Sequence, residues 1–371
     1  MKINILLPYK EMFDENKASS VSITVNNNLY YSQYLSDIKI FGQATDKPLF
    51  KKNFIGIKSP LFTFKGKNRY LSEQMCKIIL KDKDDKQIIE IHNRPYLVNH
   101  IYNTIRKFPI CLFLHNDPKT MNGSKSPIER QSILDKCAAV FCVSEYVKIQ
   151  FLKGLIKDKE KVFVLHNGVR RILKKFPLKK KEILFVGRLV PEKGVDIYLD
   201  AIEPLIPNFP DWNFGLIGSS KLGSKINKSK YAQNIINKFK KFGPQANFYG
   251  FKDYSFTQEK MRDASIIVIP SLWQEPFGLV AAEAMSNGIA IIASNVGGIP
   301  EIVKDNGILI ENINSNKIER ALTNLIQNKG EREFFQKKSW KNFKLSSSQS
   351  SHILDKFRKI IFDKMTKSSS N

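Results

Sequence analysis

The stretch SLWQEPFGLVAAEAMSNGIAIIASNVGGIPEIV, residues 271–303, decides the fold of this chain. It follows the apolar run of residues 266–269, which is typical of a buried parallel strand. A helix is predicted next, with Pro276 in its first turn and Gly288 at its end. A second apolar strand, residues 289–293, and a loop containing two glycines follow. The order strand, loop, helix, strand, loop predicts one α/β unit.

The predicted helix start carries groups suited to a phosphate and to hydroxyls. A helix N-terminus offers unpaired N–H groups and a positive dipole end, and Gly278 lets an anion approach the backbone. Glu275 and Glu283 are separated by seven residues, and two helical turns span about 7.2 residues. We therefore expect both carboxylates at one end of a cleft, where they would accept hydrogen bonds from hydroxyls. This combination favours a sugar nucleotide over the alternative, a surface helix with two solvated glutamates.

A second cluster of charge follows the strand predicted at residues 183–186. The sequence continues GRLVPEKG, so Arg188 and Lys193 lie near the carboxyl end of that strand. A guanidinium can bridge two phosphate oxygens, and an ammonium adds a point charge. The alternative is a surface salt bridge with Glu192, but the pattern favours a diphosphate-binding loop.

Composition bounds the class of protein. The 371 residues, 42% of them hydrophobic, suffice for two α/β domains. The longest apolar runs fall well short of the roughly 18 residues expected of a membrane span. Four cysteines lack CxxC spacing, which predicts buried thiols in a reducing cytosol and neither disulfides nor a zinc site. They are Cys76, Cys111, Cys137 and Cys142.

The net charge of +25 has three explanations. Genome composition and attraction to an anionic membrane surface rank equally. Nucleic-acid binding ranks below both, because no recognition motif for it is present. The basic segment at residues 170–181 is either a solvated linker or a membrane-facing stripe.

The signature over residues 275–301 resembles a known family. A glutamate, seven residues, a second glutamate and a Gly-Gly-x-Pro-Glu loop resemble the C-terminal motif of family 4 retaining glycosyltransferases. The resemblance implies the GT-B fold: an α/β chain of two doubly wound Rossmann-like domains facing across a cleft, with a C-terminal helix crossing back to the N-terminal domain. We expect the boundaries 1–172 (acceptor-binding domain), 173–182 (linker), 183–345 (sugar-nucleotide domain) and 346–371 (crossover helix and disordered tail).

The alternation of apolar runs supports this organisation and predicts parallel strands in both halves. In the first half these strands are predicted at residues 3–7, 38–42, 88–91, 110–114, 139–143 and 162–165. In the second half they are predicted at residues 183–186, 214–217, 247–249, 266–269 and 289–293.

The resemblance also implies roles for single residues. Glu275 would hold donor-sugar hydroxyls and Glu283 the ribose hydroxyls, while Arg188 and Lys193 would bind the diphosphate. The other expected donor-binding positions are Phe277, Gly278, Leu279, Gly218 and Phe251.

In the first half, the resemblance assigns His115 a contact to the donor sugar near the reacting carbon. His92 follows a neighbouring predicted strand and is a weaker candidate for the acceptor pocket. The glycine pair common in the family after the first strand is missing, and Ser19 in a small-residue segment is a weak acceptor candidate.

The predicted function is transfer of a sugar, with retention, from a UDP- or GDP-sugar to a hydroxyl of a glycan or lipid-linked acceptor in cell-envelope polysaccharide, lipopolysaccharide or capsule synthesis. Transfer to a soluble acceptor is the alternative. The third hypothesis is that the chain is a non-catalytic protein that binds a nucleotide sugar or nucleic acid. No metal is expected, because the Asp-x-Asp at residues 82–84 precedes a strand in a highly charged loop. We expect a cytoplasmic protein, peripheral on the inner face of the membrane if the acceptor is a lipid.

Overall fold

The structure is a computed structural model that describes residues 2–220 and 229–368. The chain divides into two compact units. The first comprises residues 1–168 and 347–371, and the second comprises residues 169–346.

The first unit is built on a fully parallel sheet of seven strands in the order β3-β2-β1-β4-β5-β6-β7. The strands are β1 (Lys2–Leu6), β2 (Ile38–Gln43), β3 (Phe54–Ile57), β4 (Gln87–His92), β5 (Ile110–Leu114), β6 (Cys137–Cys142) and β7 (Val162–Val164). The helices between them are α1 (Ser20–Leu29), α2 (Lys67–Leu80), α3 (Leu97–Thr104), α4 (Pro127–Leu134) and α5 (Glu145–Leu152). The four cysteines of the chain are buried and free in this unit.

The second unit repeats this plan with six parallel strands in the order β10-β9-β8-β11-β12-β13. The strands are β8 (Lys180–Val186), β9 (Asn213–Ile217), β10 (Ala246–Gly250), β11 (Ala264–Ile269), β12 (Ala290–Ser294) and β13 (Ile308–Ile310). The helices are α6 (Val195–Ile202), α7 (Leu205–Asn208), α8 (Lys230–Lys240), α9 (Tyr254–Asp263), α10 (Leu279–Ser286), α11 (Ile299–Val303), α12 (Ser315–Gln327) and α13 (Lys329–Asn342). In both units the first strand lies in the middle of the sheet, which is the doubly wound arrangement that the sequence predicts.

The last helix, α14 (Ser347–Ser368), belongs to the first unit. Leu354, Ile361 and Phe362 of this helix are buried in the same apolar cluster as strands β1 and β2. The sequence predicts a disordered tail over residues 367–371, but the helix continues to Ser368. Residues 369–371 lie outside the described residues. In the described ranges, no helix combines the length and hydropathy needed to cross a bilayer.

All eleven predicted strands are present, and their ends differ from the predicted ones by at most three residues. The sequence did not predict β3 and β13, each of which lies at one edge of its sheet and which are only four and three residues long. An edge strand is only partly buried, so its hydrophobic pattern is weak. Strand β8 begins at Lys180, inside the segment predicted to be a linker, because Lys180 already pairs with Ala264 of β11.

The predicted start of helix α10 needs correction. Pro276 is not in its first turn, because Gly278 has a φ of +97° and the helix begins only at Leu279. Glu275 therefore lies in the preceding loop, and the two-turn spacing argument for Glu275 and Glu283 on one helix was wrong. Gly288 follows the helix in the left-handed conformation, with a φ of +65°, as predicted for a helix end.

Candidate functional site

The carboxylate of Glu275 is held by two side chains from neighbouring strand ends. Ser271, just after β11, donates its hydroxyl to Glu275 Oε1 at 2.7 Å. The ammonium of Lys193, in the loop after β8, pairs with the same oxygen. Glu275 itself is buried. Both contacts converge on Oε1, so Oε2 is the oxygen left to accept a hydrogen bond from a ligand hydroxyl.

The loop after β12 fixes the backbone of Glu275. Gly298 donates its N–H to the carbonyl of Glu275 at 2.7 Å, and Gly297 donates to Gln274 Oε1 at 2.7 Å. A Cβ at Gly297 would lie 2.2 Å from the carbonyl oxygen of Glu275, and Gly297 also has a φ of +57°. The glycine pair is therefore required for this close approach.

The N-terminus of α10 lies directly after the loop that carries Glu275, which connects β11 to this helix. Within the described ranges, no acceptor takes the backbone N–H of Gly278 or Leu279. Phe277, which is also predicted to bind the donor, precedes them and has a buried side chain. The N–H groups of Gly278 and Leu279 form the kind of helix start that attracts an anion or a polar oxygen.

Glu283 lies on α10 in a different environment. Its carboxyl group is buried, and burial raises its pKa to about 8. The Tyr254 hydroxyl of α9 is buried without a hydrogen-bond partner among the described residues, and burial followed by the charge of Glu283 raises its pKa. Glu283 is therefore largely protonated at neutral pH and can give or accept a hydrogen bond.

The two predicted cations after β8 differ in their contacts. Lys193 contacts Glu275 and lies 5.4 Å from the ring centre of Trp273. Arg188 is exposed and forms no ion pair in the part of the chain that the structure describes. Neither pairs with Glu192, so the simple surface salt bridge considered above is wrong for these residues.

Gly218 and Phe251 follow β9 and β10 at the same edge of the sheet. Gly218 donates its N–H to the carbonyl of Gly250 at 2.9 Å. A Cβ on Gly218 would lie 1.8 Å from the carbonyl oxygen of Gly187. Since β10, β9, β8, β11 and β12 are adjacent and parallel, the predicted donor-side residues of the second unit other than Glu283 follow strands at one carboxyl edge or lie at the helix start beyond it, and Glu283 lies within α10. Ligands bind at this edge in doubly wound sheets.

In the first unit, the structure brings His92 and His115 together. They follow the adjacent strands β4 and β5, and His92 Nδ1 lies 2.9 Å from His115 Nε2. The His92 ring also stacks on Phe113 with a centroid distance of 4.5 Å. Burial lowers the pKa of His115 to about 4 and that of His92 well below its usual value, so both rings are neutral at pH 7.

The contacts of His92 assign the proton between the two rings. His92 Nε2 is buried without a hydrogen-bond partner in the described part of the chain. A buried N–H without an acceptor is less acceptable than a bare lone pair. We therefore assign the proton to His92 Nδ1, which donates to His115 Nε2. This makes His115 the tautomer that carries its own proton on Nδ1.

Ser19 has a structural contact. It is the N-cap of α1, and its hydroxyl accepts a hydrogen bond from the N–H of Ser22 at 3.2 Å. The small-residue segment thus opens α1. Ser19 uses one lone pair of its hydroxyl for capping.

A cavity of about 550 Å³ in the first unit was not predicted from the sequence. It lies at the carboxyl ends of β1 and β2, where long loops from separate segments meet. The aspartate at its base, Asp14, accepts a short hydrogen bond from Thr45 Oγ1. The residues that line it are Met12, Asp14, Asn16, Lys17, Gln43, Ala44, Thr45, Asp46, Lys47 and Lys58.

The Asp-x-Asp segment is engaged in local contacts. Asp82 pairs with Lys2 and Lys39, and the hydrogen bond from Lys2 holds its pKa well below the usual range. Asp84 Oδ1 accepts a hydrogen bond from the N–H of Lys86 at 2.9 Å. The described ranges contain no group of three His, Cys, Asp or Glu side chains arranged to hold a metal ion.

Comparisons with known proteins agree with this geometry. The family model described as glycosyl transferases group 1 matches residues 169–341. An uncharacterized glycosyltransferase of Methanocaldococcus jannaschii is 35% identical over 240 residues, which cover 60% of this chain and 64% of the relative. The lipopolysaccharide 1,2-N-acetylglucosaminetransferase of Salmonella typhimurium is 31% identical over 172 residues, 43% of this chain and 45% of that relative. The alignments thus span less than two thirds of either relative.

The fold of the whole chain has a solved counterpart. Anabaena HepE, whose crystal structure is a complex with UDP, superposes with a TM-score of 0.74 at 18% identity and covers 96% of this chain and 99% of its own. This likeness establishes two Rossmann-like domains of the GT-B type. The narrower assignment to family 4 stays a prediction. Residues 169–341, which make up most of the second unit, match the glycosyl transferases group 1 family model.

Proposed function

We propose that the protein is a glycosyltransferase that moves a sugar from a nucleotide-diphosphate sugar to a hydroxyl of a glycan or lipid-linked acceptor. The observation that carries the proposal is the cluster of Glu275, Lys193 and Ser271, braced by the glycine pair after β12. The relatives support it, since both are described as glycosyltransferases. UDP is the first nucleotide to test, because HepE was crystallised with UDP.

In this proposal each donor-side group has a distinct task. Glu275 accepts a sugar hydroxyl through Oε2, and the N–H groups of Gly278 and Leu279 bind sugar or phosphate oxygens. Arg188 and Lys193 stabilise the charge that develops on the leaving diphosphate, which is electrostatic catalysis. Glu283 binds the ribose hydroxyls. These roles need no metal ion, and we propose that transfer proceeds without one.

We propose in addition that the configuration of the transferred sugar is retained. Glu275 is already bound to an ammonium and a hydroxyl, so we assign it to binding and not to nucleophilic attack. A departing phosphate oxygen takes the acceptor proton on the face from which it leaves, and the configuration is retained. His115, neutral and protonated on Nδ1, would offer a hydrogen bond to the donor sugar.

The acceptor class follows from charge and from the relatives. A net charge of +25 favours an anionic or membrane-bound acceptor, and the Salmonella relative acts on lipopolysaccharide by its description. We therefore propose a role in cell-envelope polysaccharide synthesis, with the enzyme peripheral on the inner membrane face. A soluble acceptor is the second candidate, and it predicts activity that vesicles do not change.

The test begins with binding and continues to turnover. UDP, GDP, ADP, CMP and dTDP are compared by thermal shift with and without EDTA. A ligand at a hundredfold excess over Kd stabilises the native state by about 2.7 kcal/mol. A selective shift that persists in EDTA is expected. The matching sugar nucleotides are then assayed for transfer and hydrolysis, and the anomeric configuration of the product is read by proton NMR.

Glu275→Gln and Glu259→Gln make a matched pair of variants. Glu259 is exposed on α9, outside the loop, and its side chain forms no ion pair among the described residues, so its substitution is the control. We expect Glu275→Gln to lower kcat about a hundredfold or more while the nucleotide shift is kept. Full activity of Glu275→Gln, or the absence of any nucleotide shift even with magnesium, would overturn the proposal. An inverted product would overturn only the stereochemical part.

A further inference from the structure

The loop after β3 exposes three large apolar side chains in a short segment. Leu61, Phe62 and Phe64 are 100%, 75% and 96% exposed. We call these three residues the apolar tip. The two phenylalanine rings contact each other edge to face at 5.1 Å, and the Gly66 N–H closes a turn onto the Thr63 carbonyl at 3.2 Å. Single exposed apolar residues are common, but an adjacent group of this size indicates a contact surface.

The surroundings of the apolar tip are strongly basic. Residues 47–81 contain nine lysine or arginine residues and one acidic residue, Glu73. That glutamate is shared by Lys65 and Arg69, at 3.5 and 3.3 Å. Lys67 contacts the Tyr9 hydroxyl at 2.8 Å, and Lys58 forms no ion pair within the described ranges. The excess positive charge is therefore available to an anionic partner.

We propose that the apolar tip inserts into the surface of a bilayer that contains anionic lipids. Exposed phenylalanine and leucine gain free energy by leaving water, and the lysines beside them reach phosphate groups at the membrane surface. A segment that joins exposed apolar side chains with an excess of positive charge, and whose one acidic residue is shared by two cations, matches the interfacial mode of binding. The nine positive charges on this segment favour an anionic bilayer over a second copy of the chain, which carries the same charge.

The position of the tip connects it to the cavity in the same unit. Lys58 lies between β3 and the apolar tip and also lines the 550 Å³ cavity together with Lys17 and Lys47. Insertion of the tip would bring these three ammonium groups to the headgroup layer. The inference rests on the membrane location given under the proposed function and deepens it, and because bilayer binding is measured without any sugar nucleotide, its failure is distinguishable from a failure of sugar transfer.

The experiment compares the full chain and two double variants on vesicles. Phe62→Ser with Phe64→Ser removes the aromatic part of the tip. Ile128→Ser with Ile156→Ser is the control, because these side chains are 82% and 86% exposed elsewhere on the same unit. Phosphatidylcholine vesicles with and without phosphatidylglycerol are used, at low and high salt, and bound protein is measured by co-sedimentation.

We expect the wild type and the control to bind anionic vesicles and to dissociate as salt rises. The tip variant should bind about a hundredfold more weakly, about tenfold for each phenylalanine. Lys58→Gln should weaken binding to anionic vesicles by severalfold and leave binding to neutral vesicles unchanged.

Four results would overturn the proposal. They are wild-type binding by the tip variant, equal losses in the tip and control variants, failure of the wild type to bind any vesicle, and a lipid-free dimer that dissociates when the tip is substituted. Circular dichroism melting of each variant checks that the fold is kept, and exposed positions are expected to pass.

Discussion

Arg358 of the last helix pairs with two buried carboxylates, Glu90 on β4 and Asp355 one turn earlier on the same helix, and the pair with Glu90 attaches the helix to the sheet of the first unit. Its Nε and Nη2 donate to the two oxygens of Glu90 on β4 at 2.7 and 2.8 Å. Its Nη1 donates to Asp355 at 2.9 Å. Asp355 also accepts from the Ser32 hydroxyl at 2.9 Å and the Gln33 N–H at 2.8 Å. We predict that Arg358→Ala destabilises the first unit severely.

The magnitude follows from what each carboxylate has left. Without Arg358, the Asp355 carboxylate keeps its donors from Ser32 and Gln33. The Glu90 side chain is 1% exposed, and its carboxylate has no other hydrogen-bond partner in the described ranges. Removing one member of a buried ion pair typically costs about 3–5 kcal/mol, because a charge is left unpaired. Replacing both members by apolar residues of similar size is often close to neutral. The double variant Arg358→Met with Glu90→Leu should therefore recover most of the loss.

The assay uses the uneven distribution of tryptophan. All three, Trp212, Trp273 and Trp340, lie in the second unit, so tryptophan fluorescence in urea reports that unit. Hydrogen exchange of peptides from β4 and α14 reports the first. In Arg358→Ala, we expect these peptides to lose protection by a factor of about 150 or more, which corresponds to about 3 kcal/mol, while the fluorescence midpoint stays. Unchanged exchange, or a double variant as unstable as the single one, would refute the reasoning.

Three further predictions concern the candidate sites. Glu283 has a pKa raised to about 8 from 4.5, so the folded state holds a proton that the unfolded state has lost. The stability of the second unit should therefore fall as pH rises from 4.5 to about 8, and Glu283→Gln should remove this part of the pH dependence. Urea midpoints from tryptophan fluorescence measure the effect, and equal pH dependence in both proteins would contradict it. The ring signals of His92 and His115 should not titrate between about pH 5 and about pH 8, and nitrogen NMR should find the His115 proton on Nδ1 in the wild type and lose that preference in His92→Phe. Gly297→Ala should abolish nucleotide binding, because the new Cβ would lie 2.2 Å from the carbonyl oxygen of Glu275. Gly243→Ala is the matched control, since Gly243 also has a positive φ but no atom within 4 Å of the added Cβ, and this variant should bind normally. Equal binding by both variants would contradict the role of the close approach.

Much of the fold follows from local patterns in the sequence. Strands with two buried faces, such as residues 110–114, read as continuous apolar runs, and the observed strand has those limits. This pattern does not identify β3 and β13, because both strands are short and partly exposed to solvent. The start of α10 was misplaced because proline next to a helix is a frequent signal, whereas the left-handed backbone of Gly278 is a property of its tertiary setting.

The candidate site divides in the same way. Lys193, Glu275 and both histidines could be predicted because they are polar residues at or just after the ends of predicted strands. Once the strands of a parallel sheet are known, its carboxyl edge is known, and ligands bind at that edge. The contact of Ser271 with Glu275 and the proton order in the histidine pair depend on side-chain rotamers, which no spacing encodes. The cavity near Asp14 escaped because it combines segments that lie about thirty residues apart in loops without periodicity.

The assignment of α14 to the first unit has a consequence for biosynthesis. The ribosome makes residues 1–168 first, yet Leu354, Phe362 and Arg358 of that unit are added only after the whole second unit. During translation the nascent chain therefore carries an incomplete first unit, in which the apolar surface that α14 covers is exposed and Glu90 has no arginine to pair with. All residues of the second unit are already present at this stage, so it can fold first. We expect chaperone dependence and misfolding to concentrate in this interval.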